Sequence, residues 1–302
     1  VRIGFSLPQY GATAGQATEL ARFAQQAEAL GADSLWVGDR LLAPVNPTVG
    51  YLGGDTIPAE YREILDPFVA LSVAAAVTRT AQLGTNVINA PWYPPALLAR
   101  SLTAIDVVSG GRLLPGFGTG WSPEEYQAAA SPMGERGKRL DECLDALEQL
   151  WTADPAEYHG EHWTVPATHA GLKPAQRPRP PIYLAAFSPA AIRRVARRAD
   201  GWIPAVMPGT GPIDLTAAVT GPLAQIRRLA EQNGRDPGGI DTILRVYPTS
   251  QATVEDILTT VQRVGDDTDV RHVLIDLMHL ASTIDQALDM TGTILDSVGN
   301  NG

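Results

Sequence analysis

The feature that most constrains this chain is a repeated beat. A short run rich in β-branched and other apolar residues is followed by a segment with apolar positions at three- and four-residue spacing, from one end to the other. The first kind of run predicts a strand and the second an amphipathic helix. Strands are predicted at Val1–Leu7, Ser34–Val37, Gln82–Ile88 and Arg112–Phe117, then at Ile182–Ala186, Gly201–Val206, Ile240–Tyr247 and Val270–Met278. Helices are predicted at Gln16–Leu30, Pro67–Val77, Pro95–Ser109 and Lys138–Trp151, then at Pro189–Ala199, Pro222–Asn233, Val254–Val264 and Ile284–Val298. Repeated right-handed βαβ crossovers either stay open as a sheet or close on themselves. About eight pairs in a chain of 302 residues is the arithmetic of an α/β fold of the (β/α)8 TIM-barrel type, with insertion loops at the C-terminal face. Residues 1–302 then form one barrel domain. The alternative is a doubly wound sheet followed by a second domain. The proline-rich connector Lys173–Pro181 sits between a helix and the fifth strand, where it leaves too little chain for two balanced units.

Composition narrows the function classes. Lys+Arg number 23 against 33 Asp+Glu, a formal charge of −10, so the field repels phosphate backbones and no nucleic-acid partner is expected. No stretch approaches the roughly 20 apolar residues that a membrane-spanning helix needs. Nothing at the start reads as a secretory leader, and a cytoplasmic location is expected. The single cysteine, Cys143, falls on the apolar stripe of a helix and reads as core. His159 and His162 flank Gly160-Glu161 without helical spacing; a short surface hairpin from Tyr158 to Val165 is the better reading, and no metal site is expected.

A barrel of this type carries its site at the C-terminal ends of the strands. Gln9-Tyr10, Asp39-Arg40, Asn86 to Asn89, Gly118 to Trp121, Phe187-Ser188, Met207, Tyr247 and His279 fall there. Glycines, amides and aromatics outnumber ionisable groups, which suits a flat, largely apolar cofactor better than two-carboxylate hydrolysis. Leu41 to Asp66 is a long segment without regular pattern on the same face, readable as a lid or as disorder. Gly116-Phe117-Gly118-Thr119-Gly120 resembles half a dinucleotide fingerprint, but its third glycine is one position early and no helix follows at once. It is either a tight turn or a close approach to a bound ring. Ser188-Pro189 reads as an N-cap and first helical residue, so free amides point to the barrel top as an anion site. Arg193, Arg194, Arg197 and Arg198 ride on that helix, either as a solvated basic face or within reach of an acidic ligand.

On these residues, together with Gly31–Asp39, Leu83–Val87, Leu102–Arg112 and Arg136–Glu142, the chain resembles the luciferase-like monooxygenase superfamily, and within it the actinobacterial F420-dependent oxidoreductases. The resemblance implies a barrel with a flavin or deazaflavin at the strand ends. It places cofactor contacts on Asp39, Asn86, Val87, Asn89, Thr119, Gly120, Phe187, Ser188, Ala190 and Ala191, with a non-proline cis peptide between Asn86 and Val87. Sugar-phosphate dehydrogenases of this type have a catalytic histidine where this chain has Arg40, and a catalytic glutamate where it has Trp121. Arginine stays protonated and tryptophan is no base, so that chemistry is disfavoured. Arg40 is the candidate catalytic residue, as a fixed positive charge. Tyr10, Trp92, Trp121 and His279 are the candidate substrate pocket, and an apolar or aromatic substrate stacked near Trp36, Trp92 and Trp121 is expected. The function implied is hydride transfer between F420 and a small organic substrate. An FMN-dependent monooxygenase is the alternative, and a non-catalytic flavin or deazaflavin carrier is a third reading. A homodimer without membrane contact is expected.

Overall fold

The computed structural model describes residues 1–299. Its strands are β1 Arg2–Ser6, β2 Ser34–Val37, β3 Gln82–Thr85, β4 Ile88–Asn89, β5 Leu113–Leu114 and β6 Gly116–Gly118. After them come β7 Ala156–His159, β8 Thr164–Thr168, β9 Tyr183–Leu184, β10 Gly201–Trp202, β11 Ala205–Val206, β12 Asp241–Val246 and β13 His272–Ile275. The helices are α1 Gly11–Ala14, α2 Leu20–Ala29, α3 Pro67–Val77, α4 Pro95–Ser109 and α5 Pro123–Ala128. The remaining five are α6 Arg136–Thr152, α7 Pro189–Arg198, α8 Gly221–Gln232, α9 Val254–Asp267 and α10 Ile284–Gly299.

All strands but β7 and β8 pair in parallel, and the ring closes. β1 pairs with both β2 and β13, β3 with β5, β4 with β6, and β6 with β9. Three barrel strands are broken where the sequence reads as one run. The third parts at the cis peptide Asn86–Val87. The fourth parts at Pro115 and the sixth at Ile203-Pro204, since proline has no N–H for the ladder. Thr85 repairs the gap at Pro115: its hydroxyl donates to the Gly116 carbonyl at 2.7 Å and accepts the Gly116 N–H at 2.8 Å.

Two apolar layers result. Leu71, Leu102, Leu144, Val195, Ile226 and Val261 belong to the layer between strands and helices. Trp36, Leu114, Tyr183, Ile203, Ile243 and Leu274 fill the barrel interior. Glycines make room for the large rings: a Cβ on Gly84 would overlap the Trp36 indole, and one on Gly201 the Tyr183 ring. Trp36 is fully buried in this interior. That corrects the expectation that it stacks on a substrate; it is the plug beneath the site. Cys143 is buried on α6, and burial pushes its thiol up to about 12. β7 and β8 form the antiparallel hairpin expected around His159 and His162. Its turn is held by Glu142, which accepts backbone N–H groups of Glu161, His162 and Trp163. Among the described residues no helix is long and apolar enough to cross a membrane.

Candidate active site

The second strand delivers Asp39 and Arg40 to the barrel mouth, both buried. Asp39 accepts the Asn89 backbone N–H at 2.9 Å and the Tyr93 hydroxyl at 3.0 Å, and the Asn89 amide donates to the Asp39 carbonyl at 2.9 Å. Burial nevertheless raises the Asp39 carboxyl to about 7, with Glu125 and Asp66 adding repulsion. Arg40 points away from Asp39. Its Nη2 lies 3.1 Å from Glu125 Oε2, and its guanidinium is sandwiched between Tyr61 and Trp121, at 4.9 and 4.5 Å from the ring centroids. Glu125, at the start of α5, also accepts the Leu41 and Leu42 N–H groups at 2.7 and 3.3 Å. Arg40 therefore ties the strand end to α5 and the following loop.

Asn86 is buried and its Nδ2 has no partner, while half-buried Val87 packs on the interior layer. The Gly116-x-Gly118 pair is a packing requirement: a Cβ on Gly116 would overlap the Thr85 carbonyl, and one on Gly118 would press on Val87. Gly120 has φ +63°, and a Cβ there would meet Asn89 Oδ1 at 3.0 Å. The glycine run is thus a close-packed strand end and not a dinucleotide fingerprint. Thr119 accepts the Tyr126 hydroxyl through its carbonyl. Trp92 is buried edge-on against Tyr126, at 5.9 Å, with its Nε1 unpaired. Trp121 lies under the loop against Tyr51, at 5.7 Å.

At the fifth strand, Ser188 caps α7 by accepting the Ala191 N–H at 3.3 Å, with Pro189 at the first position. Ser188 and Ala190 are exposed, and Phe187 beside them is 76% exposed. The arginines of α7 are otherwise engaged. Arg194 makes a two-pronged pair with Asp141 at 2.8 and 3.0 Å, and Arg197 reaches Asp141 at 3.1 Å. Arg198 lies 2.5 Å from Asp145. These residues dock α7 on α6, which corrects the expectation that the basic face as a whole meets an acidic ligand; Arg193 alone of the four is not in an ion pair among the described residues.

Leu41 to Asp66 is an ordered cover with two 3-10 turns, Tyr51–Gly53 and Ala59–Arg62. It seats Tyr51, Ile57, Tyr61 and Ile64 on Tyr10, Tyr247, Met207 and Met278. Tyr10 is bridged to Ile64 and buried against Tyr61, at 5.3 Å. His279 bonds the Tyr247 hydroxyl through Nε2 at 2.8 Å and Glu60 through Nδ1 at 2.9 Å. Beneath them Arg245 pairs with Asp276 at 2.6 Å, and Ser6 donates to the same carboxylate at 3.1 Å. Sequence reasoning missed Glu60, Tyr61, Glu125, Arg245 and Asp276. A signal existed for two of them: Ile243, Arg245 and Tyr247, like Leu274, Asp276 and Met278, share one strand face at two-residue spacing.

The mouth thus holds buried donors without partners: Asn86 Nδ2, Arg40 Nε, Arg245 Nε and Trp92 Nε1. Unpaired buried donors are costly unless a ligand satisfies them. They fit a planar ring whose edge is rich in carbonyl and ring-nitrogen acceptors, as in flavins and deazaflavins. The family model for luciferase-like monooxygenases matches residues 3–292. This chain belongs to that family. The F420-dependent glucose-6-phosphate dehydrogenase of Kineococcus radiotolerans is 30% identical over 231 residues, 76% of this chain and 63% of its own length. The oxygenase component of the flavin-dependent trigonelline monooxygenase of Acinetobacter baylyi is 36% identical over 126 residues, 41% of this chain and 35% of its own. The crystal structure of the monooxygenase RslO1 from Streptomyces bottropensis superposes with a TM-score of 0.81 at 20% identity, covering 100% of this chain and 99% of that one. That likeness shows the shared fold. Luciferase-like relatives of this chain thus include both F420-dependent and flavin-dependent enzymes.

Proposed function

We propose that this luciferase-like protein is an F420-dependent oxidoreductase acting on a small organic substrate. The observation that carries a ring cofactor is the set of unpaired buried donors at the mouth, Asn86 Nδ2, Arg40 Nε and Arg245 Nε. The choice of deazaflavin over FMN rests on the F420-dependent relative, which matches 76% of the chain, against 41% for the flavin-dependent one. Bound F420 supplies the hydride chemistry.

The chain supplies the rest. The exposed Ser188 hydroxyl and the Ala190 amide, at the positive end of α7, take the cofactor phosphate. Val87, in the third strand, and Phe187, after the fifth, would lie on either side of the fourth strand as contacts for the ring. Asn86 donates to the ring edge, and the Arg40 charge, held by Glu125, stabilises negative charge that builds nearby. The cover from Leu41 to Asp66 excludes water. An apolar or aromatic substrate and a homodimeric assembly belong to the same proposal.

Equilibrium fluorescence titration of the apoprotein with F420 and with FMN tests the reading. Tighter binding of F420 is expected; tighter binding of FMN moves the protein to the monooxygenases. Turnover of an enone or dye by the F420-loaded protein separates an enzyme from a carrier. Sedimentation velocity reads the dimer.

A further inference from the structure

Glu60, His279 and Tyr247 form a continuous chain at the mouth. Glu60 Oε1 lies 2.9 Å from His279 Nδ1, and His279 Nε2 lies 2.8 Å from Tyr247 Oη. Tyr61 Oη is 3.3 Å from Tyr247 Oη. The Arg245 guanidinium covers the Tyr247 ring at 4.3 Å and is itself fixed by Asp276. A phenol backed by an imidazole, oriented in turn by a carboxylate, is the arrangement of a positioned proton donor with a route for reprotonation. The groups facing Tyr247 are Glu60, Tyr51 and Tyr61 from the cover, Arg245 and Asp276 from the barrel, and His279. Burial, with Tyr61 and Tyr51 beside it, raises Tyr247 well above its ordinary value, so it stays protonated through neutral pH. A guanidinium and an indole are both poor general acids, which sets Arg40 and Trp121 aside.

We propose that Tyr247 is the general acid of this site and that the substrate is a carbonyl compound whose oxygen lies against Tyr247 Oη. His279 and Glu60 are positioning residues. The proposal rests on the F420 reading for its reductant and deepens it by naming a substrate class. The carbonyl carbon, or the β-carbon of an enone, gains a hydride from the reduced deazaflavin. The carbonyl oxygen gains the Tyr247 proton, giving an alcohol or an enol. The Tyr247 oxygen recovers a proton from Nε2–H of the imidazolium form of His279, which leaves a neutral imidazole with its Nδ1–H on Glu60 and is reprotonated from solvent when the cover opens. Arg245 beneath the ring stabilises the tyrosinate formed in between. Because Glu60 and Tyr61 belong to the cover, the donor is complete only when the mouth is closed.

The test uses 4-nitrophenol, whose phenolate imitates the negative oxygen and reports its own ionisation by absorbance. It is titrated into the full chain without coenzyme. Wild type is expected to bind the phenolate and to lower the apparent pKa of the bound ligand. Tyr247→Phe keeps the ring and is expected to weaken phenolate binding about ten- to a hundred-fold and to abolish the pKa shift. His279→Gln and Glu60→Gln are expected to lose part of that shift. F420 titration of Tyr247→Phe is expected to match wild type and verifies the fold. Equal phenolate affinity in wild type and Tyr247→Phe, or no binding to wild type, overturns the donor assignment while leaving the coenzyme reading intact. Failure of F420 to bind overturns the coenzyme reading and leaves the phenolate result standing. A Glu60–His279 contact that merely latches the cover would alter cover proteolysis in His279→Gln and leave the bound ligand's ionisation unchanged; that result also overturns the proposal.

Discussion

The two ends of the barrel interior solve burial in opposite ways. At the N-terminal end the buried polar groups are neutral: Trp36 Nε1 donates to Ser34 Oγ at 2.7 Å, and Ser34 bonds His272 Nε2 at 2.7 Å. Burial lowers His272 to about 4, so it stays uncharged. At the C-terminal end the chain buries charges, Arg40 with Glu125 and Arg245 with Asp276; unpaired buried polar atoms occur at both ends, His272 Nδ1 and Thr242 Oγ1 at the floor, Asn86 Nδ2 and Arg40 Nε at the mouth. Taking ions out of water costs several kcal/mol each, so stability does not explain the mouth. The floor is neutral, and the mouth carries ion pairs whose burial is costly.

Glu125 is where the two ends differ most. Glu125→Leu leaves Arg40 buried without its counter-charge and is expected to lower stability by about 3–5 kcal/mol in urea unfolding. Arg40→Met combined with Glu125→Leu should recover most of that loss. If the single variant is neutral, the mouth carries no strain of charge and the contrast fails.

The two ends respond to acid with opposite sign. His272 falls from 6.5 to about 4 in the folded state, so its contribution is full above pH 6.5 and is lost as pH drops toward 4. Asp39 rises from 3.8 to about 7, so its cost is absent below pH 4 and grows as pH climbs toward 7. Each is on the order of 3–4 kcal/mol, and in wild type they largely offset. Asp39→Asn is expected to expose the floor's slope, with stability falling toward acid. His272→Gln should expose the mouth's slope, with stability falling toward neutrality. Urea midpoints at about pH 4.5, 6 and 7.5 check both; parallel slopes in the two variants would remove the distinction.

Overpacking tests the floor alone. Gly84→Ala drives a methyl group into the Trp36 indole and is expected to cost about 1–3 kcal/mol, with the order of cofactor preference unchanged. The smallest effect is at the rim. Ser188→Ala removes the α7 cap and is expected to cost about 1 kcal/mol and to weaken cofactor binding several-fold. Unchanged affinity for both F420 and FMN would place the phosphate elsewhere.

Legibility followed the same division. The strands of the floor were readable because inward positions of a barrel must be apolar or small, as at Trp36, Gly84 and Ile243. The breaks were less so: Pro115 and Pro204 sit inside runs that propensity alone joins, and only the Thr85 contacts across the gap show how the fourth strand survives. At the rim, Asp39, Asn86, Ser188 and His279 were readable as strand-end residues. Their partners were not. Glu125 is 85 positions from Arg40, and Glu60 is 219 from His279, and no local rule pairs residues at such separations.

The parallel barrel and the family to which the chain belongs were legible in the sequence, because hydrophobic period and capping are local properties. Which charges are paired depends on the folded chain. The tertiary structure turned three arginines of α7 into helix docking, folded Leu41 to Asp66 over the mouth, and joined Glu60, His279 and Tyr247 into one chain. The physical reason is that a buried charge or an unpaired donor is defined by what surrounds it, and the surroundings at the mouth come from elements far apart in the sequence.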